Sequence, residues 1–544
     1  MSLEIRINGK SLSTPSGPSI FDCSEELGVH VPTSCRKNGK CRECIVEITE
    51  GAELLSQLTR EEEHLGEEFR LACRAHLVGD SGSISCHTMR RGRMRIEEEG
   101  WKSDAERELE PAVSRDGDWV LLDGKPLTMT PGPLLGIALD LGTTTVVVRL
   151  IDLESGEQVD AASFENPQRF GGSDVMARIQ YDTEHSGRLL QRTLLSYLGH
   201  CIEDLECDPQ TIYEIIVAGN TTMRDLLFGL DVSSVGQRPY RSITEHELEK
   251  GTRQSTGIET TAKKMRLPVY PQARVVGLPL VSGHVGADAA ACLLAIDLAD
   301  KGELAAFMDI GTNTELIVND GGRLVAASCP AGPAFEGGAI SCGMPGLEGA
   351  IETVHIDTDG KLSYEVIGGS RQAEGICGSG LVELLGELLR NGTMDHLGRL
   401  ANDADRFELP ETDSVYLSEE DISQLAQAKG ANVAGLEIVM KNLGRSCGDL
   451  DRFYLAGGFA SHLDLDSARR IGLIPDLPNE KITRIGNAAI EGASLALLST
   501  RLRRKLEKTV SRIEHIELET DPDFFDHFVE GCQFKPIGAG GSTA

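Results

Sequence analysis

Apolar and charged positions alternate through residues 3–7, Leu-Glu-Ile-Arg-Ile, which puts one face of a strand in a core. The Asn8-Gly9 pair that follows is the signature of a type I′ hairpin. Residues 19–27 predict a helix, Ile45-Val-Glu-Ile48 a returning strand, and Thr59 followed by acids a helix start within residues 58–65. Beyond residue 90 the pattern breaks. Residues 91–133 are charged, then Pro- and Gly-bearing, ending Pro131-Gly-Pro133, and predict a tether with one short hairpin at Asp123-Gly124. From residue 134 an apolar run, Leu135-Gly-Ile-Ala-Leu-Asp140, leads into a tight turn at Leu141-Gly142-Thr143-Thr144 and a second apolar run at residues 145–151. The same strand, turn, strand pattern returns 169 residues later, as Asp309-Ile-Gly311-Thr312-Asn313-Thr314 between two apolar runs. Residues 419–443 read as one long amphipathic helix. The pattern thus divides the chain into residues 1–90, a linker over 91–133, a first lobe over 134–300 and a second over 301–544.

A length of 544 residues requires several cores, and a net charge of −32 repels phosphate backbones and anionic lipid. The locally basic stretch at residues 90–95 is short and is followed by Glu97, Glu98 and Glu99, so neither a nucleic-acid partner nor a membrane surface is expected. No apolar run approaches the roughly 20 residues of a membrane span, and the N-terminus lacks a charged-then-apolar signal. A cytoplasmic protein is the expectation. Fourteen cysteines in a chain this long do not make a disulfide framework.

Three of those cysteines lie within residues 35–44, Cys-Arg-Lys-Asn-Gly-Lys-Cys-Arg-Glu-Cys, and Cys73 follows in Arg-Leu-Ala-Cys-Arg. Three sulfurs in one loop and a fourth from the next element is the arrangement of a plant-type [2Fe-2S] ferredoxin, with the first gap lengthened to five residues as in the adrenodoxin-like branch. Structural zinc usually takes two Cys-x-x-Cys pairs, so a zinc site fits less well. Lysines, arginines and Gly39 in the loop suit an anionic cluster wrapped by backbone N–H groups. Cys23 and Cys86 fall outside the spacing and are expected as small buried hydrophobes.

Two copies of Asp-x-Gly-Thr inside a hairpin argue for an internally duplicated fold with a cleft between its halves. A glycine hairpin offers N–H groups and hydroxyls to phosphate oxygens, and an aspartate at the strand end suits a hydrated Mg²⁺. A third element, Phe453-Tyr-Leu-Ala-Gly457-Gly458-Phe459, is a strand opening into a glycine pair on which a flat base can lie. Together the three resemble the two phosphate motifs and the adenosine motif of the acetate and sugar kinase, heat-shock chaperone and actin superfamily. Two small-residue helices, beginning near Gly286 and Gly486, stand where the connecting helices of that fold cross and let the lobes hinge.

A [2Fe-2S] unit ahead of such an ATPase resembles the reductive activators of corrinoid proteins. Asn166-Pro-Gln-Arg-Phe-Gly-Gly-Ser-Asp174, Val217-Ala-Gly-Asn220-Thr-Thr-Met223, Pro330-Ala-Gly-Pro-Ala-Phe-Glu336 and Gly375-Ile-Cys-Gly-Ser379-Gly carry the likeness further. The linker is too short for the extra middle domain of some relatives. The resemblance implies a β-grasp ferredoxin-like domain and duplicated ribonuclease-H-like, actin/sugar-kinase-type lobes, in an α/β and α+β multidomain chain. It implies a [2Fe-2S] cluster on Cys35, Cys41, Cys44 and Cys73, and Mg²⁺ on Asp140 and Asp309. ATP would lie on Asp140, Gly142, Thr143, Thr144, Thr145, Gly311, Thr312, Asn313, Gly457, Gly458 and Phe459. Asp288 and Asp309 are the candidates for the chemical step, with a helix cap the alternative for Asp288. Asn220 is placed beside the phosphates, Lys429 beside the base or in solvent, and Asp174 with Arg178 in a surface pair. Cys329, Cys342 and Cys377 show no ligand spacing.

The implied reaction passes one electron to cob(II)alamin on a corrinoid protein, with ATP hydrolysis. It needs an upstream electron donor and is compatible with a homodimer. A small-molecule kinase with a regulatory ferredoxin and an ATP-gated binding protein are the alternatives. Activators of acyl-CoA dehydratases bridge a [4Fe-4S] cluster across a dimer and lack the N-terminal ferredoxin, which the Cys35 to Cys73 set speaks against.

Overall fold

The computed structural model describes residues 3–66, 68–89, 109–369, 373–412, 414–458 and 460–537, and these divide into two compact units. The basic stretch at residues 90–95 lies outside the described residues.

The first unit begins with strands β1 (Leu3–Ile7) and β2 (Lys10–Thr14), joined through Asn8 and Gly9 at φ 50° and 81°. Positive φ at both turn positions is the type I′ geometry that the Asn-Gly pair favours. Leu3, Ile5 and Ile7 are buried while Glu4 and Arg6 face water. Ser19 caps the helix Ile20–Glu26 and Asp22 bonds back to it, a reciprocal capping box. With β3 (Ile45–Glu50), β4 (Phe69–Leu71) and β5 (Gly82–Thr88) the sheet runs β2-β1-β5-β3-β4, and β1 lies parallel to β5. This is a β-grasp sheet with its helix packed on one face. Cys23 and Cys86 are both 1% exposed within its core. The helix start at Thr59 makes only a 3₁₀ turn, Arg60–Glu62, because the Glu62 carboxylate also accepts from Arg70 and from the Leu71 N–H of β4.

Within the expected linker, β6 (Val113–Asp116), β7 (Trp119–Leu122) and β8 (Lys125–Met129) form a three-stranded antiparallel sheet. The anticipated turn at Asp123-Gly124 is there, and a second at Gly117 makes a meander in place of a bare tether. Arg115 pins the meander, donating to Glu154 and to the carbonyl oxygens of Thr130 and Gly132.

The first lobe has β9 (Leu135–Leu141), β10 (Thr145–Asp152), β11 (Gln158–Glu165), β12 (Ile212–Gly219), β13 (Ile258–Thr261) and β14 (Arg274–Gly277), ordered β11-β10-β9-β12-β14-β13. All eight residues of β12 are buried, as a central strand flanked by parallel neighbours requires.

The second unit repeats the plan. β15 (Leu304–Asp309), β16 (Thr314–Asp320) and β17 (Arg323–Cys329) form its meander. Between them and the next sheet strands lie two small sheets, β18 (Ala350–Ile356), β19 (Leu362–Val366) and β20 (Gly375–Ile376), then β21 (Arg406–Glu408) and β22 (Tyr416–Ser418). With β23 (Arg452–Ala456), β24 (Ile482–Gly486) and β25 (Glu514–His515) the large sheet runs β24-β23-β15-β16-β17-β25. Reading outward from the first strand, β11-β10-β9-β12-β14 and β17-β16-β15-β23-β24 have the same order and directions. The duplication inferred from two short turns is therefore a duplication of whole sheets.

The helices Ala287–Ile296 and Ala488–Leu498 approach at Ala291 and Gly492, where a Cβ on Gly492 would stand 1.9 Å from the Ala291 carbonyl oxygen. A backbone atom cannot rotate away as a side chain does. Gly492→Ala is expected to lower stability by about 1–3 kcal/mol, read as a depressed thermal unfolding midpoint.

Candidate functional site

The cysteine loop owes its shape to left-handed residues. Arg36, Lys37, Gly39 and Arg42 have φ of 51°, 63°, 77° and 62°. A run of such residues turns successive N–H groups toward one centre. Gly39 suits this position by its φ, and its missing Cβ leaves room for Arg74, whose Nε would stand 2.5 Å from one. Arg74 in turn donates to the Asn38 carbonyl oxygen.

The four sulfurs fall into two pairs. Cys44 Sγ lies 3.3 Å from Cys73 Sγ, and Thr33 Oγ1 stands 4.0 Å from Cys35 Sγ and 3.9 Å from Cys41 Sγ. Burial works against the Cys35 thiolate, but N–H groups of Cys41 and Asn38 outweigh it and bring the thiol down to about 7. The hydrogen bond from Cys44 lowers Cys73, helped by the Gly39 N–H, and by the same bond Cys44 is raised. Burial foremost raises Cys41. Four thiols in two pairs, ringed by amide donors, suit two irons with two thiolates each. Lys37, read from the sequence as a counter-charge for the cluster, instead bonds Asp22 at 3.0 Å and Glu25 at 2.6 Å on the neighbouring helix.

This loop is seated on the first lobe. Tyr197 Oη donates to the Glu43 carbonyl oxygen at 3.2 Å, Tyr181 Oη to that of His64 at 2.8 Å, and Arg169 Nη2 to Glu47 Oε1 at 3.0 Å. The Phe170 ring meets His64 edge-on at 6.2 Å. None of these seat residues carries a motif, and only the placement of Arg169 and Phe170 within the Asn166 segment marks them in the sequence.

Two asparagines shape the first phosphate turn. Asn166 Nδ2 donates to Gly142 O at 2.9 Å and its backbone N–H to Thr144 O at 2.7 Å, while Asn220 Nδ2 donates to Thr143 Oγ1 at 2.9 Å. Gly142 closes the turn through its N–H to Thr145 O, so near that oxygen that a Cβ would stand 2.8 Å from it. Asn220 also caps the helix Thr221–Phe228, accepting from the Met223 N–H. Asp288 joins this group. A Cβ on Gly286 would lie 2.5 Å from Asn220 Cα and 2.6 Å from Asp288 Oδ1, so the bare glycine lets the carboxylate reach the end of β12. Asp288 retains some exposed surface, yet burial pushes its carboxyl up to about 6 against the pull of the Ala289 N–H. Thr143, Asn220 and Asp288, far apart in sequence, thus meet at one strand end, with Asp140 near the end of β9 opposite Ala218 of β12.

The second turn is braced by a residue not assigned a role from sequence. Thr312 Oγ1 donates to Glu336, whose carboxyl is raised, chiefly by burial. The Gly332 N–H bonds Thr312 O at 2.8 Å. β23 lies parallel to β15 with Asp309 opposite Ala456, and a Cβ on Gly457 would stand 2.3 Å from Ile310 O. The glycine of the adenosine motif therefore adjoins the turn that carries Gly311, Thr312 and Asn313. Phe459 lies outside the described residues.

Two expectations change. Lys429 is not in solvent: at 1% exposure, with its ammonium pushed down to about 7 by burial, it donates to the carbonyl oxygens of Gly531 and Gln533. Asp174 and Arg178 make no surface pair, since Asp174 caps the helix Val175–Glu184 and Arg178 is wholly buried. Cys342 and Cys377 bond separate carbonyl oxygens, of Ser414 and Ile351, and Cys329 is buried against Gly435.

Cluster-type thiols ahead of two matching phosphate turns define an iron–sulfur ATPase of the acetate and sugar kinase, heat-shock chaperone and actin class. Residues 5–78 match the 2Fe-2S iron-sulfur cluster binding domain, residues 135–301 the RACo middle region, and residues 303–539 the C-terminal domain of RACo, the ASKHA domain. Over 445 residues the chain is 32% identical to the corrinoid activation enzyme RamQ of Eubacterium limosum, covering 76% of this chain and 72% of that one. It is 25% identical over 423 residues to the [Co(II) methylated amine-specific corrinoid protein] reductase of Methanosarcina barkeri, covering 73% and 76%. A solved reductive activator for corrinoid, iron-sulfur protein superposes with a TM-score of 0.70 at 26% identity, covering 98% of both chains. With its domains matched in order and so long a stretch shared with RamQ, the chain belongs to the RACo family of reductive activators of corrinoid proteins.

The raised carboxyl of Asp288 sets a pH signature. Because its folded value of about 6 exceeds the ordinary 3.8, the proton favours the folded form, and that contribution is lost as pH rises from about 4 through about 6. Asp288→Asn is expected to unfold about 1–2 kcal/mol later than wild type at pH 7.5, the gap closing below about pH 4. Its ATP turnover falls about 100-fold or more if Asp288 orients the attacking water. Thermal unfolding against pH, beside a phosphate-release assay, reads both.

Proposed function

We propose that this protein returns an inactivated corrinoid protein to its cob(I)alamin state, moving one electron to cob(II)alamin and hydrolysing ATP to ADP and phosphate. The observation that carries the reading is the presence, in one unit, of a two-pair thiol loop and a phosphate turn, in a chain of the corrinoid activator family. A [2Fe-2S] cluster on Cys35, Cys41, Cys44 and Cys73 supplies a one-electron couple near about −400 mV. An upstream electron carrier replaces each electron given up.

The chain's residues have three tasks. The loop amides of Asn38, Gly39 and Cys41 favour the thiolate form of Cys35 and Cys73. Gly142, Thr143, Thr144 and Thr145, and separately Gly311, Thr312 and Asn313, take phosphate oxygens; Asp140 and Asp309 hold Mg²⁺ through water; Gly457 and Gly458 border the adenosine. Asp288, tied to the same strand end as Asn220, orients water for attack.

Transfer to cob(II)alamin is uphill for such a donor, and selective gripping offsets that. Holding the reduced partner roughly 10⁴-fold tighter than the oxidised one raises the partner's potential by roughly 240 mV, at about 59 mV per tenfold. ATP turnover then releases the product complex. Among the described residues no helix is long and apolar enough to cross a membrane and all fourteen cysteines are free thiols, which supports a cytoplasmic place.

Prereduced protein mixed with a Co(II) corrinoid protein should produce the cobalt absorption change of reduction, with repeated turnover only when ATP is present. Cys41→Ser should abolish that change and leave ATP binding intact. Unaltered corrinoid reduction by the variant would remove the electron-entry role of this loop.

A further inference from the structure

The 3₁₀ turn Pro167–Gly171 and the helix Val175–Glu184 enclose a cation that no described carboxylate contacts, Asp174 and Glu165 acting on it only at longer range. Arg178 is 0% exposed. Its Nε donates to Gly172 O at 3.0 Å, its Nη1 points at Met223 Sδ at 3.1 Å, and Nη2 has no hydrogen-bond partner among the described residues. No described carboxylate comes within ion-pair distance. Asp174 is engaged by the Ala177 N–H, and Glu165 by Arg169. On the same 3₁₀ turn both amide atoms of Gln168 are buried without partners, as is the hydroxyl of Thr222, next to Met223 on the helix Thr221–Phe228.

A thioether is a weak acceptor, and a buried charge that lacks its opposite is among the least favourable arrangements in a protein interior. Methionine would fill the space with no such penalty. Packing therefore does not account for a guanidinium here.

Its surroundings indicate another role. Met223 Sδ also lies 3.7 Å from Asn166 Nδ2, which donates to Gly142 O at 2.9 Å, and the Met223 N–H is held by Asn220, whose amide reaches Thr143. The charge thus sits behind the asparagines that shape the first Asp-x-Gly-Thr turn, separated from it by the buried side chains of Met223 and Asn166. Through buried side chains electrostatic attraction is little screened.

We infer that Arg178 is a positioning residue for the nucleotide, its unpaired charge balanced by the ATP phosphates when they occupy residues 142–145, acting through Met223 and Asn166 and not by direct contact. The inference rests on the reading that ATP binds at this turn. It makes the empty protein less stable than its packing permits and the loaded protein tighter than its turn alone would give.

Those two effects separate this role from a structural one. In the full chain, Arg178→Met and Arg178→Gln should raise the nucleotide-free unfolding midpoint while weakening ATP binding by about tenfold or more, measured by calorimetric titration. A lowered midpoint in both variants, or ATP affinity equal to wild type, overturns the inference. Wild-type protein that fails to bind ATP would instead overturn the reading of the turn itself.

Discussion

Two polyanions must be held by a chain that carries 32 net negative charges, and the backbone N–H group is what makes this feasible. In the cysteine loop, left-handed residues rotate amides toward sulfur. In the nucleotide turns, glycine permits the backbone to close on itself. Amide dipoles attract an anion without adding net charge, and they cost little reorganisation because their direction is fixed by the fold. Everything around these loops serves to keep that direction. Gly39 admits Arg74, Asn166 and Asn220 fix the first turn, and Glu336 fixes the second.

The two lobes share strand order yet brace their turns by different chemistry. In the first, neutral amides donate to a carbonyl and a hydroxyl; in the second, a threonine hydroxyl donates to a buried carboxyl. Duplication explains the common sheets, and divergence is concentrated in the segments that follow them. Those segments also carry the seat of the cluster domain, since Asn166 and Arg169 lie three residues apart and bond the first turn and Glu47 respectively. A single 3₁₀ turn and its cap therefore touch both the first Asp-x-Gly-Thr turn and the cysteine-loop domain.

Local geometry explains what was legible in the sequence. An Asn-Gly hairpin, each Asp-x-Gly-Thr turn and two small-residue helices state their structure locally, and the hairpin, the duplicated sheets and the close helix approach are found as expected. Arg178, Lys429 and Lys37 were misplaced because spacing along a chain is blind to what packs above it. Arg178 and Asp174 have the separation of a surface pair, but Gly171 and Gly172 let the helix close over the guanidinium. Lys429 lies on a helix whose neighbour, the segment after Phe524–Gly531, arrives from over a hundred residues away. The meander over residues 113–129 was hidden by its composition, in which Trp119 and Met129 stay exposed and no strand reads as buried.

The unequal covering of the sulfurs gives the electron carrier a front and a back. Cys44 and Cys73 are 0% and 5% exposed, whereas Cys35 and Cys41 remain partly open to solvent. Cys44 leads straight into β3, the strand that carries Glu47, and Cys73 follows β4, its antiparallel neighbour. On the proposed function, a redox partner that meets this domain while it is seated encounters the Cys35–Cys41 edge. Current should therefore enter and leave by one door, and two partners that need that door must take turns.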